Sequence, residues 1–183
     1  LERGFYDIMS SMRQIVVVLH NIRSTYNVGA ILRTAEGLGI EKVVYSGYTP
    51  RYNDPELLPH LRTKLDHQIA KSALGAEELV EQEILGPNLL TNWLKCAVMK
   101  GHNIVGLENN LSPEEMPRRL ILGQPTKLKE KVVLVLGEEV SGIPPDIRPL
   151  MEHFLEIPMR GQKESFNVSV AAGIALWGLQ ELL

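Results

Sequence analysis

The stretch Ile157-Pro158-Met159-Arg160-Gly161-Gln162-Lys163-Glu164-Ser165-Phe166-Asn167-Val168-Ser169-Val170-Ala171-Ala172 carries the reading of the fold. An apolar, strand-like run from Phe154 to Ile157 enters a polar loop, the loop closes on Ser165-Phe166-Asn167, and an apolar helical pattern follows at once. A strand–loop–helix junction of this kind presents small polar groups and backbone donors beside a rigid core, which suits a polar ligand. Taken alone, Ser165 or Asn167 reads as the N-cap of the last helix, where a short side-chain oxygen satisfies a free backbone N–H.

Two further segments change that reading. One is Asn21-Ile-Arg-Ser-Thr-Tyr-Asn27-Val-Gly29-Ala-Ile-Leu-Arg33-Thr-Ala-Glu-Gly-Leu-Gly39, and the other is Leu134-Val-Leu-Gly137-Glu-Glu139-Val-Ser-Gly142-Ile-Pro-Pro145. Each follows a β-branched run, Ile15 to Leu19 and Val132 to Leu136. Continuous runs of this type mark strands buried on both faces of a parallel sheet. Polar or glycine-rich loops after three such strands are how open α/β sheets build ligand sites beyond their carboxyl edges.

Together and in this order, the three blocks resemble the SpoU/TrmH branch of the SPOUT RNA methyltransferases. Asn27, Gly29 and Arg33 match its first motif, and Gly137, Glu139 and Gly142 match Gly-x-Glu-x-x-Gly, its second. The third motif, Ile-Pro-Met-x-Gly followed by Ser-Leu-Asn-Val-Ser-Val-Ala, is met with Phe166 in place of the usual Leu, a bulkier wall for an adenine pocket. The resemblance implies an α/β fold with a mostly parallel sheet flanked by helices, a homodimer, and a C-terminal trefoil knot. General topology rules argue against a knot, and no periodicity reveals one. It also implies S-adenosylmethionine as cofactor and methyl transfer to a ribose 2'-hydroxyl of structured RNA, either tRNA or rRNA. By the same resemblance Leu136, Gly137, Gly142, Ile157, Met159 and Phe166 hold the cofactor, and Arg33, Asn27, Glu139, Ser165 and Asn167 form the catalytic set.

The chemistry accords with those residue types. Glycine-bearing loops let backbone amides and carbonyls approach an adenine closely. Methyl transfer to a hydroxyl is an in-line displacement that needs alignment and a route for the hydroxyl proton. A guanidinium stays protonated and is a poor literal base. Arg33 is therefore expected to hold a neighbouring phosphate and stabilise the nascent alkoxide, with Asn27 holding Arg33 or the ribose and Glu139 orienting the polar network.

Bulk properties bound the alternatives. A chain of 183 residues, 44% apolar, buries one sizeable core, so residues 1–183 are expected to form a single domain with 1–14 as a short N-terminal arm. No run approaches a membrane span. The first residues, Leu-Glu-Arg-Gly-Phe-Tyr-Asp, are charged too early for a signal peptide and lack an initiator Met, which leaves room for a longer chain upstream. Cys96 is the lone cysteine; it suits a reducing, cytoplasmic compartment and is expected to be a packed, inert thiol. A net charge of −3 argues mildly against a nucleic-acid partner. Arg23, Arg33, Arg160 and Lys163, however, gather on the named loops and helix starts and offer a one-sided basic cleft for RNA. The five histidines show no close metal-ligand spacing, so no metal is expected. Gly137 to Gly142 lacks the residues of a P-loop or a dinucleotide fingerprint.

Along the chain, Asn27 to Leu38 reads as a helix ended by Gly39, and Lys42 to Tyr45 as a strand. Residues 47–66 read as a long loop, a candidate lid or RNA contact, and Lys71 to Ala76 as a looser family element at the mouth of the site. A helix at Leu89 to Lys100, a strand at Asn103 to Leu107, a short helix after Ser112, a helix begun by Pro144-Pro145 and a closing helix from Val168 to Leu183 complete the reading. The closing helix is apolar nearly all round and needs cover on every side, which points to a second copy of the chain, with an internal helix–helix contact as the alternative. Three rival functions stay open: a catalytically weak RNA-binding member of the fold, a small-molecule α/β enzyme using another nucleotide, and a knotted methyltransferase acting on a base. The Ser-x-Asn third motif and the Asn-to-Arg spacing favour the ribose oxygen over the base.

Overall fold

The computed structural model describes residues 13–124 and 128–181. Seven strands form one sheet: β1 (Gln14–His20), β2 (Lys42–Ser46), β3 (Gln82–Ile84), β4 (Asn103–Leu107), β5 (Arg119–Ile121), β6 (Lys131–Leu136) and β7 (His153–Glu156). Their order is β3-β2-β1-β6-β4-β7-β5, and every pairing is parallel, as in Val17 beside Leu134 and Val17 beside Val43. The helices are α1 (Thr25–Gly37), α2 (Pro59–Ala73), α3 (Ala76–Leu79), α4 (Leu90–Met99) and α5 (Val168–Glu181).

The pleat explains the apolar run of β1. Ile15, Val17 and Leu19 join a core with Val28, Ile31, Leu32 and Ala35 of α1, Ile69 of α2, and Ala172, Ala175, Leu176 and Leu179 of α5. Val16 and Val18 point the other way, into a core with Leu90, Leu94 and Ala97 of α4 and with Ile143, Ile147, Met151 and Phe154. Both faces are covered, so alternation gives way to a continuous β-branched sequence. The chain runs outward from β1 to β3 and then fills the other side of the sheet, so the order reverses between β1 and β6. In open α/β sheets ligands bind beyond the carboxyl ends of the strands at such a switch point. The adjacent strands β1, β6, β4 and β7 send their carboxyl-terminal loops to that edge.

Several elements differ from the sequence reading. The long loop stops at Leu58, and α2 begins at Pro59, carrying His60, Arg62 and Lys64. Of its residues only Ile69 and Ala73 are buried, so its stripe is too thin to register as an amphipathic period. Lys71 to Ala76 is the end of α2 and the turn into α3, with Leu74 and Gly75 in the left-handed region. The edge strands β3 and β5, three residues each, carry no alternation. Residues 144–147 turn without forming a helix, and only a 3-10 turn at Arg148–Leu150 follows. Cys96 is exposed on α4 and not packed, because the buried stripe of α4 falls on Leu90, Leu94 and Ala97. Of the expected N-terminal arm, residues 1–12 lie outside the described residues, as does the end of the closing helix at 182–183, while Gln14 already belongs to β1.

Candidate active site

Three loops meet through one asparagine. Asn27, in the first turn of α1, donates from Nδ2 to Glu139 Oε1 at 3.1 Å and accepts at Oδ1 from Asn167 Nδ2 at 3.2 Å. Local structure fixes each partner. Ser24 caps α1, its hydroxyl accepting from Asn27 N at 3.3 Å. Asn167 caps α5: its Oδ1 accepts from Ser169 N at 3.0 Å and Ser169 Oγ at 2.7 Å, and its carbonyl from Ala171 N at 2.8 Å. The capping role and the bridging role therefore belong to opposite ends of one side chain.

Glu139 closes the arrangement by accepting the backbone N–H groups of Arg23 at 3.2 Å and Ser24 at 3.4 Å. Partial burial pushes its carboxyl pKa up, but these N–H groups and the Asn27 amide outweigh burial and hold it below the ordinary value. Glu139 is thus an anion at neutral pH, satisfied by the start of α1. Beside it, the Glu138 carboxylate pairs with the Arg23 guanidinium. Burial lowers the pKa of His20, at the end of β1, against the opposing pull of Asp146.

The triad borders a cavity of about 310 Å³ lined by Leu107, Leu136, Gly137, Ile157, Phe166 and neighbouring residues. That volume lies at the small end of the range for small-molecule sites. Its floor is the hairpin from Gly137 to Gly142, closed by reciprocal backbone bonds between Glu138 and Gly142 at 2.9 and 3.0 Å. A Cβ on Gly137 would overlap the backbone of Gly142 and Ile143, so only glycine permits this fold-back. Apolar walls from Leu107, Leu136, Ile157 and Phe166, beside the close hairpin turn that Gly137 permits, fit an adenosine-bearing cofactor.

The loop after β4 completes the pocket, and no motif reading found it. Glu108 accepts from the backbone N–H of Asn109 at 3.0 Å, Asn110 at 3.3 Å and Ile143 at 3.3 Å, and from Arg148 Nη1 at 3.1 Å. Asn109 donates from Nδ2 to the carbonyls of Ile157 and Glu164, both at 3.1 Å, and accepts from Ile157 N at 3.2 Å. It thereby staples both ends of the loop at 157–164. A polar pair directly after a strand was the available signal, but its defining partners, the Ile143 N–H and the Ile157 and Glu164 carbonyls, lie 35 to 55 residues away.

Comparison with known proteins decides the kinship. The SpoU rRNA Methylase family matches residues 14–177, nearly the whole chain. The chain is a member of this family. Human mitochondrial rRNA methyltransferase 1 is 31% identical over 171 residues, covering 90% of this chain and 44% of that protein. A tRNA (guanosine(18)-2'-O)-methyltransferase of Aquifex aeolicus is 27% identical, covering 92% of this chain and 69% of the relative. Among solved structures, an AdoMet-bound rRNA methyltransferase from Sinorhizobium meliloti superposes with a TM-score of 0.73 at 20% identity, covering 94% of this chain and 57% of that one. The chain thus spans only part of the curated relatives it matches, 44% of the human one.

Within this SpoU domain the structure assembles some of the named residues and leaves others apart. Asn27, Glu139 and Asn167 are joined by hydrogen bonds, and Ser165, Phe166, Leu136, Gly137, Gly142 and Ile157 line the adjoining cavity. Met159, half-buried in the third loop, is not among the lining residues. Arg33 is exposed six residues beyond Asn27, outside the cavity lining, with no hydrogen bond or ion pair among the described residues. Six residues advance a helix by about 9 Å and turn it onto another face. Arg160 and Lys163 are exposed on the third loop. Arg23 is also exposed, but Glu138 occupies its guanidinium. Among the described residues no group of three or more His, Cys, Asp or Glu could hold a metal ion, and no helix is long and apolar enough to cross a membrane.

Proposed function

We propose that this chain transfers a methyl group from S-adenosylmethionine to a ribose 2'-hydroxyl of structured RNA, tRNA or rRNA. The observation that carries the reading is the Asn27–Glu139–Asn167 junction at the mouth of a glycine-floored cavity. Family membership and the names of the relatives support it. The cofactor supplies an electrophilic methyl group. Gly137 offers its backbone to the adenine, the Gly142 and Ile157 carbonyls keep a second lone pair for it, and Leu136, Met159 and Phe166 offer apolar contact. Asn27 and Ser165 orient the acceptor ribose, Glu139 holds the α1 start against the hairpin, and Asn167 fixes the third loop to Asn27. Arg33 grips the neighbouring phosphate and stabilises the developing alkoxide, while the proton leaves through phosphate or water. Arg160 and Lys163 attract the RNA backbone. A homodimer, the C-terminal trefoil knot and a cytoplasmic location belong to the same reading.

Arg33→Ala tests it. Methyl transfer from radiolabelled cofactor to unfractionated tRNA and rRNA should fall at least about 100-fold, in line with loss of a group acting on developing charge. S-adenosylhomocysteine affinity, measured by calorimetry, should stay within about twofold, since Arg33 lies outside the cavity. Retained turnover removes Arg33 from the chemistry.

A further inference from the structure

The loops after β1 and β2 are locked together around one outward-facing ring. Ser46 and Thr49 are buried, yet Tyr48 between them is 54% exposed. Thr49 Oγ1 lies 2.9 Å from the carbonyls of both Leu19 and Ser46 and accepts from Ile22 N at 3.1 Å. Asn21 N donates to Ser46 O at 3.2 Å, Asn21 Oδ1 accepts from Tyr48 N at 3.3 Å, and His20 Nδ1 lies 3.1 Å from Ser46 Oγ. Asn21 and Gly47 face each other with φ of 61° and 64°, and a Cβ on Gly47 would overlap Asn21 Oδ1. A non-glycine residue in the left-handed region is costly and persists where its surroundings enforce it. Here the enforced geometry turns an aromatic side chain into solvent.

The ring stands beside the site already described. Arg23 lies over it, 6.0 Å from guanidinium carbon to ring centroid, and donates from Nε to the Tyr48 hydroxyl at 3.4 Å. The backbone N–H of the same Arg23 donates to Glu139. Because Glu138 neutralises the Arg23 charge, this patch has little to offer a phosphate. A flat face flanked by a planar guanidinium is suited to another planar, polarisable ring. We propose that Tyr48 is a stacking platform for an unpaired nucleobase of the RNA, next to the nucleotide that reacts. The assignment rests on the RNA methyl-transfer reading and adds to it a fixed subsite for the substrate.

Unfractionated tRNA and fragmented rRNA, binding to Tyr48→Ala, Tyr48→Phe and Tyr48→Trp by fluorescence anisotropy at fixed salt, provide the test. Loss of one base stack predicts weakening of about 5- to 150-fold for Tyr48→Ala. Phe and Trp keep a ring face and should bind within about twofold of the parent, and all three variants should bind S-adenosylhomocysteine as the parent does. Unchanged RNA binding by Tyr48→Ala overturns the platform alone. So does equal weakening by Phe and Ala, which would assign the effect to the hydroxyl and its Arg23 contact. A parent protein that binds neither RNA nor S-adenosylhomocysteine overturns the methyl-transfer reading together with the platform.

Discussion

Asn27 and Asn109, like the capping Asn167, hold this site together by using both ends of the amide. Asn27 donates to a carboxylate and accepts from a second amide. Asn109 donates to two carbonyls and accepts from a backbone N–H. Asparagine is suited to both places because it combines donor and acceptor on a short, uncharged stem. Asn109→Asp keeps the shape but turns an oxygen toward the carbonyls of Ile157 and Glu164. The part-buried Ile157 carbonyl then loses its donor, at a cost of about 1–3 kcal/mol, while water can replace the donor at the exposed Glu164 carbonyl. S-adenosylhomocysteine should bind at least about tenfold more weakly to Asn109→Asp in calorimetry, with the KM for cofactor rising more than kcat falls. A uniform loss of stability with unchanged affinity would make Asn109 a fold residue only.

At the scale of elements, the exits of β4 and β6 and the 3-10 turn at Arg148–Leu150 form one brace. Arg148 donates to both Glu115 oxygens at 2.7 Å and to Glu108, with its guanidinium 5.1 Å from the Phe154 ring centroid. Arg148 holds the Glu115 carboxyl, ordinarily near 4.5, down to about 2. A depressed carboxyl contributes stability that is fully present above pH 4.5 and is lost as pH falls toward 2. Glu115→Gln should therefore melt lower than the parent at pH 7, by a stability loss of about 1–3 kcal/mol. The gap between the two melting temperatures, followed by circular dichroism, should close as pH falls from 4.5 to 2. A gap independent of pH would show that the carboxylate charge contributes nothing. These contacts also mark where the sequence stopped being readable. β1 and β6 were legible because burial on both faces leaves a continuous β-branched run, and Asn27, Glu139 and Asn167 because each follows or opens such an element. The helix α2 hides only Ile69 and Ala73, and Glu108 and Asn109 bind backbone groups whose positions depend on sheet order, which no local pattern encodes.

At the scale of the whole molecule, the proposed homodimer would account both for the separation of Arg33 from the triad and for the apolar exterior of α5. Val170 and Trp177 are 49% and 59% exposed on α5, whose other face is packed through Ala172, Ala175, Leu176 and Leu179. A Cβ added to Gly173 of α5 would meet Thr34 Cγ2 of α1 at 3.7 Å, so Arg33 stands on a helix flanking α5. A two-fold contact through α5 buries Trp177 twice over, because an isologous interface uses the same patch on both copies. It also leaves Arg33 of one copy free to approach the cavity of the other. Mixing of inactive variants separates this arrangement from action within one subunit. Arg33→Ala keeps an intact cavity, and Asn167→Ala keeps an intact Arg33. Random pairing makes half of the dimers mixed, and each mixed dimer holds one site with both groups intact, so co-expression should restore about a quarter of parental activity per protomer. Trp177→Glu, which charges the shared patch, should give a monomer by light scattering and abolish that recovery. Mixed dimers that form but remain inactive would place Arg33 and Asn167 in service of the same subunit, and a parent that runs as a monomer at assay concentration would remove the partner altogether.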